Sequence, residues 1–224
     1  MTGLYLLVGS AAALVAAYVL LARKLSSKEV ATLATMAALA SAGRVAFAAI
    51  PSVQPATVII LITGFVFGPA GGFLTGATTA LTSNLFIGQG PWTIPQMLIW
   101  GIVGAVGGLL GRVAPRAGTR TLVVASAIAG LAFSWAMNMW FWASYVYPHS
   151  VASLAGVFAA SLWFDILHVA GNAAFALVLS ARLVRILTRF KQRFHVAWVS
   201  GDGTPTAIPD APGSPVPGRV AADA

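Results

Sequence analysis

Residues Ala56–Gly111 read ATVIILITGFVFGPAGGFLTGATTALTSNLFIGQGPWTIPQMLIWGIVGAVGGLLG, and this stretch decides the fold class. It holds three apolar runs without a formal charge, separated by short segments rich in glycine and proline. Apolar runs approaching the ~20 residues that cross a bilayer predict membrane helices. A transmembrane β-barrel is not indicated, because the short alternating segments typical of one are missing.

The composition of the whole chain agrees with that interpretation. Of its 224 residues, 58% are hydrophobic and 8% are charged, and the mean hydropathy is +0.87. A soluble domain carries about a quarter charged residues. The chain has no cysteine, which excludes disulfides and thiolate metal sites. The sequence therefore predicts an all-α protein, a polytopic bundle of membrane helices.

Seven apolar segments are predicted to be membrane helices. They are Leu4–Ala22, Val30–Ile50, Ala56–Phe67, Gly71–Ile87, Pro95–Gly111, Leu122–Tyr145 and Ser153–Leu187. The third is short, as expected of a tilted, partly buried or re-entrant piece. The predicted units are an extra N-terminal helix with its loop over residues 1–29, a membrane core over 30–198 and a disordered tail over 199–224. The tail is rich in Pro, Gly, Ala and Asp, a composition that does not build a core.

The basic residues predict the orientation of the helices in a cell membrane. Three clusters of them follow the first segment, follow the fifth and end the seventh: Arg23, Lys24 and Lys28; Arg112, Arg116 and Arg120; and Arg182, Arg185, Arg189, Lys191 and Arg193. With seven crossings all of these clusters fall on one side, and the positive-inside rule makes that side cytoplasmic. The N-terminus is then outside and the C-terminus cytoplasmic. The net charge of +8 is thus explained by the basic residues on the cytoplasmic side, and no nucleic-acid partner is expected.

Apart from the basic cluster that ends the seventh segment, Arg44 and Asp165 are the two formal charges inside the predicted spans, and both fall in the outer half. A charge at the centre of a bilayer costs at least ~2.5 kcal/mol, so it usually faces the bundle interior and has a partner. The favoured interpretation is a structural ion pair between Arg44 and Asp165 that locks two helices. The alternative is that one or both contact a polar ligand from outside.

Amides and indoles concentrate near the predicted outer surface. Prolines stiffen two loops, one within FIGQGPWTIPQMLIWG, residues 86–101, and one within IPSVQP, residues 50–55. Glycines let the first of these loops turn tightly. The predicted substrate-binding residues are Gln54, Asn84, Gln89, Trp92, Gln96, Trp100, Asn138, Trp142, Asp165, His168 and Asn172. Such groups suit an uncharged or weakly charged ligand better than an ion. The simpler alternative is a capped turn with interhelical hydrogen bonds and interfacial aromatic anchors.

Ala34, Ala38 and Ala42 recur every four residues on the second predicted helix. Such a ridge of small side chains lets another backbone approach closely, from this chain or from another subunit. No phosphate-binding loop, zinc motif or nucleophile–base pair is visible in the sequence. The sequence therefore predicts no catalytic residue, metal site or cofactor, and a membrane receptor that lacks its own energy source.

The run from Gly43 to Gly111, densest in motif between Asn84 and Gly101, resembles the S components of energy-coupling factor (ECF) vitamin transporters. It is most similar to the cobalamin branch, and the resemblance extends over roughly Val30 to Arg189. It implies a six-helix bundle that captures a vitamin at the outer face and delivers it inward, docked on a transmembrane coupling protein with two cytoplasmic ATPases. The docking ridge of the family resembles Ala34, Ala38 and Ala42. Its vitamin site matches positions that include Gln54, Asn84, Gln89, Trp92 and Gln96.

The chain departs from that family in its extra N-terminal helix, Leu4–Ala22. Two alternatives stay open. One is an S component for another vitamin, such as riboflavin. The other is a scaffold subunit without transport activity, which assembles a complex through the alanine ridge.

Overall fold

The computed structural model describes residues 2–22, 25–193, 198–199 and 205–206. The described residues form six helices and one short antiparallel strand pair. The helices are α1 (Thr2–Ala22), α2 (Ser27–Ala46), α3 (Ala56–Ile87), α4 (Thr93–Val113), α5 (Thr119–Tyr145) and α6 (Val151–Gln192), and the strands are β1 (Trp198–Val199) and β2 (Pro205–Thr206). Helices α3, α4, α5 and α6 are long and apolar enough to cross a membrane. The helical fold class is therefore confirmed. Arg23, Lys24 and most of the predicted disordered tail lie outside the described residues.

Helix α3 reverses direction at its middle. Gly68 has φ 89° and ψ 176°, a backbone conformation that residues with a side chain rarely adopt, and Pro69 follows it. Gly64 and Gly72 would be about 12 Å apart along a straight helix. Instead, a Cβ atom on Gly72 would lie 2.7 Å from the Cα atom of Gly64. The predicted third and fourth segments are thus the two antiparallel halves of α3.

Helix α4 packs against both halves of α3 through glycine. A Cβ atom on Gly104 would collide with the backbone carbonyl of Gly72, and one on Gly64 would collide with the carbonyl of Gly104. Small residues let membrane helices come close enough for their backbones to make van der Waals contact. The first half of α3, residues 56–67, is buried along its whole length and forms the centre of the core.

The other helices surround this centre. Helix α2 runs beside the second half of α3, where Ser41 Oγ lies 2.6 Å from Thr82 Oγ1. Helix α1 contacts the same half through a hydrogen bond between Tyr18 and Thr78. Helices α5 and α6 form an antiparallel pair, in which Gly130 lies against the side chain of Asn172.

Apart from Arg44, the described basic residues gather towards one end of the bundle, around the turn in α3. Gly108, near the end of α4, packs against Pro69. Lys191, in the last turn of α6, donates from Nζ to the carbonyl oxygen of Val66 at 2.7 Å. We call this the basic end. The opposite end, which holds loops 47–55, 88–92 and 146–150, is called the distal end.

Replacing Gly104 by Ala tests the close contact between α3 and α4. The added Cβ has no room against the backbone of Gly72, so the helices must separate. Overpacking of this kind typically costs about 1–3 kcal/mol. We expect a lower thermal unfolding temperature for the purified protein in detergent. Gly156→Ala is the matched control, because no atom lies within 4 Å of a Cβ atom built there. Equal effects of the two substitutions would contradict this packing.

Candidate functional site

A cluster of polar side chains lies at the distal end, where α2, α3 and α4 meet. Arg44 donates from Nη1 to Ser83 Oγ at 2.7 Å and to Asn84 Oδ1. Asn84 donates from Nδ2 to Thr93 Oγ1 and to Gln96 Oε1, both at 2.9 Å. We call these five residues the Asn84 cluster. Asn84 is buried, and both Oδ1 and Nδ2 of its side-chain amide have hydrogen-bond partners within the cluster.

The cluster also fastens the loop before α4. Thr93 donates from Oγ1 to Gln89 Oε1 at 2.7 Å, and Gln89 donates from Nε2 to the carbonyl oxygen of Leu81 at 3.1 Å. The structure thus brings together three residues of the predicted mouth: Asn84, Gln89 and Gln96. Sequence reasoning missed Ser83 and Thr93, although each lies within one helical turn of a residue that it named.

The indole ring of Trp100 lies against the guanidinium group of Arg44. The Cζ atom of Arg44 lies 4.9 Å from the centroid of the Trp100 ring. Trp100 is fully buried, donates from Nε1 to Thr57 Oγ1 at 3.1 Å and stacks on Phe133 with centroids 4.5 Å apart. A side chain without exposed surface does not meet a ligand directly in this conformation. Trp100 therefore positions Arg44 rather than lining a mouth.

The predicted ion pair between Arg44 and Asp165 does not form among the described residues. Asp165 accepts hydrogen bonds from Asn138 Nδ2 at 3.2 Å and from Ser161 Oγ at 3.0 Å. Arg44 faces α3 and α4, whereas Asp165 faces α5. The stacked pair of Trp100 and Phe133 separates the two sets, since Phe133 also contacts the ring of His168, one turn from Asp165.

A cavity of about 510 Å³ opens between the distal parts of α5 and α6. Asn138 and Ser161, the two partners of Asp165, lie in its wall. Trp142 donates from Nε1 to Ser153 Oγ at 2.9 Å, and Ser153 also lines the cavity. Of the predicted binding residues, Asn138 lines this cavity, and Trp142 and Asp165 bond to residues that line it. Sequence reasoning missed Ser153 and Ser161.

His168 ties loop 47–55 to α6. Its Nδ1 atom lies 2.7 Å from the carbonyl oxygen of Ser52, and because a carbonyl only accepts, Nδ1 donates. Asn172 donates from Nδ2 to the carbonyl oxygen of His168 at 2.8 Å. His168 Nε2 and Asn172 Oδ1 are buried without a hydrogen-bond partner in the described part of the chain. A buried polar atom left in this state costs about 1–3 kcal/mol.

Two predicted site residues stand apart from these groups. The side chain of Gln54 is half-buried and makes no hydrogen bond to any described residue. Trp92 is 40% exposed, and its ring lies over Gly90. Both residues lie in distal loops, as expected, without joining the Asn84 cluster.

The alanine ridge of α2 borders an apolar groove. A volume of about 660 Å³ lies between α2 and the second half of α3. The three predicted docking residues, Ala34, Ala38 and Ala42, line it together with Thr78 and other residues. The ridge is thus not covered by another helix of the described chain along this groove.

The fold and these sites define a polytopic helical membrane protein with polar groups concentrated at one end. The chain belongs to the family described as a family of unknown function, DUF6580, whose model matches residues 24–194. The matched region begins after α1 and includes α2 through α6. No match is found among curated proteins or among solved structures.

A double-mutant cycle tests the separate placement of the two charges. Since Arg44 and Asp165 have different partners, we expect the effects of Arg44→Gln and Asp165→Asn on the free energy of unfolding to add within about 0.5 kcal/mol. Unfolding of the purified protein by increasing sodium dodecyl sulfate provides the measurement. A coupling energy above ~1 kcal/mol would mean that the two charges do interact.

Proposed function

We propose that this chain is the substrate-capture subunit of an ECF-type importer, as the resemblance in its sequence implies. The observation that carries the proposal is the concentration of buried and half-buried polar side chains from five helices at the distal end, beside a cavity. Polar groups inside a membrane protein are costly and mark ligand pathways more often than surface groups do. The proposed partners are a transmembrane coupling protein and two cytoplasmic ATPases.

The orientation follows from the charges. With the basic end in the cytoplasm, the distal end faces outward and presents the Asn84 cluster and the α5–α6 cavity to incoming substrate. Counting α3 as two crossings joined by the turn at Gly68, helices α2 to α6 supply a six-helix core, and α1 adds a seventh crossing. The N-terminus is then outside and the C-terminus inside.

The substrate we propose is a vitamin. The α5–α6 cavity, at about 510 Å³, falls within the ~300–1,000 Å³ range of small-molecule sites. Its wall is mainly apolar, with Asn138, Ser153 and Ser161 as the polar contacts. A vitamin of the size of riboflavin fits such a volume, whereas a corrinoid such as cobalamin needs more space than this cavity alone.

Ligand binding with a filled-cavity variant tests the capture function. The full chain, purified in detergent, is titrated with riboflavin and with cobalamin by calorimetry, and the mass of any retained ligand is recorded. We expect Gly156→Leu, which adds a side chain to the cavity wall at a position where a Cβ atom has open space, to raise the Kd at least tenfold. Leu162→Ala is the control, since Leu162 is exposed and not part of that wall. Unchanged affinity of the Gly156→Leu variant would contradict the proposal that the vitamin binds in this cavity.

The alanine groove is the proposed docking surface for the coupling protein. Ala38→Leu fills part of the groove, so we expect it to lower vitamin uptake by cells at least fivefold while leaving ligand binding by the purified chain unchanged. Leu39→Ala alters a neighbouring exposed side chain outside the groove and serves as the control. Normal uptake by Ala38→Leu would count against docking at this face.

The same groove favours a second candidate function, a scaffold that only assembles a complex. A scaffold needs the groove but not the distal cavity. Gly156→Leu would then leave complex formation and every cellular readout intact, whereas Ala38→Leu would disrupt the complex.

A further inference from the structure

Arg44 carries a charge that no acidic side chain among the described residues neutralises. Those residues include only two acids, Glu29 and Asp165. Glu29 lies 15 residues before Arg44 on α2, about 22 Å away along the helix, and accepts hydrogen bonds from Ser26. Asp165 is held by Asn138 and by Ser161 on the other side of the stacked aromatic pair.

Within the part of the chain that the structure describes, Arg44 hydrogen-bonds to neutral side chains, and it does so through only one of its guanidinium nitrogens. Both of its hydrogen bonds to described residues come from Nη1, to Ser83 and Asn84. A guanidinium has five N–H groups, so the three on Nε and Nη2 remain for another acceptor. Trp100 supports one face of the group, and the side chain of Arg44 is half-buried, so part of it remains exposed.

The start of α3 adds to the positive potential beside Arg44. Helix α3 begins at Ala56 without a side-chain cap, so its first N–H groups have no partner within the helix. The N-terminus of a helix carries a partial positive charge. Two contacts bring it close to the residues around Arg44. Gly43, which precedes Arg44 in α2, packs against Pro55, and Trp100, which lies against Arg44, bonds to Thr57.

We propose that Arg44, beside the N-terminus of α3, binds an anionic group of the substrate, namely a carboxylate. The fork of an arginine matches a carboxylate with two parallel hydrogen bonds, and a partly buried cation gains most from an anionic partner. The inference rests on the proposed capture function and narrows its substrate to acids. It goes beyond the uncharged or weakly charged ligand that the amide-rich loops predicted, because it requires an anionic group.

Matched acid and amide probes test this assignment. Thermal unfolding of the full chain in detergent is followed with biotin and biotinamide, nicotinate and nicotinamide, and pantothenate and pantothenol, beside riboflavin and cobalamin. We expect at least one acid to raise the unfolding temperature while its neutral counterpart does not. Arg44→Gln should weaken binding of that acid at least tenfold, and Arg44→Lys, which keeps the charge but loses the fork, should weaken it less. Arg120→Gln, an exposed substitution at the basic end, is the control.

The outcomes separate this inference from the function on which it rests. Equal stabilisation by an acid and its amide, or full affinity in Arg44→Gln, would overturn the carboxylate site. Binding of riboflavin or cobalamin without binding of any acid would overturn it as well, while leaving the capture function standing. Failure of every probe, neutral ones included, would count against the capture function itself.

Discussion

The close approach of three glycines, Gly64, Gly72 and Gly104, is the constraint on which the rest of the structure depends. Among lipid tails no hydrophobic force drives one apolar helix against another, so association relies on close van der Waals packing. Each of these glycines lies where a Cβ atom would meet a neighbouring backbone. The reversal at Gly68 is what makes this contact possible, because it returns the second half of α3 alongside the first. The buried first half then forms a centre around which the other helices are arranged.

The polar cluster at the distal end follows from this packing. Once α4 is fixed against both halves of α3, its first turn meets the end of α3, and Asn84 reaches Thr93 and Gln96. Trp100 is buried at the same contact and offers its ring to Arg44. Helices α5 and α6 form a separate pair that carries Asp165 and its own partners. The two polar groups are therefore built by different helices: α2, α3 and α4 supply the partners of Arg44, and α5 and α6 supply those of Asp165.

Several parts of the site were predictable because the residues are close in sequence. Asn84, Gln89 and Gln96 flank one short loop, so any turn that closes it brings them together. The ion pair was predicted because Arg44 and Asp165 are opposite charges at similar depth in the outer half of the bundle. Depth along a helix does not say which neighbour a side chain faces, and the aromatic pair of Trp100 and Phe133 stands between them. Ser83, Thr93 and Ser161 were missed because hydroxyls in membrane helices commonly bond to their own backbone, so their sequence positions carry no signal.

The sequence by itself determined the helical membrane class, the breaks at Gly68 and around Gly88–Gly90, and the gathering of basic residues at alternate loops. These depend on composition and on local backbone chemistry, which each segment carries with it. Only the tertiary structure decided that the described hydrogen-bond partners of Arg44 are neutral and that no other described helix covers the alanine groove. Both depend on which helix faces lie against each other. That choice is made by glycine contacts between segments distant in the chain, and no local pattern records it.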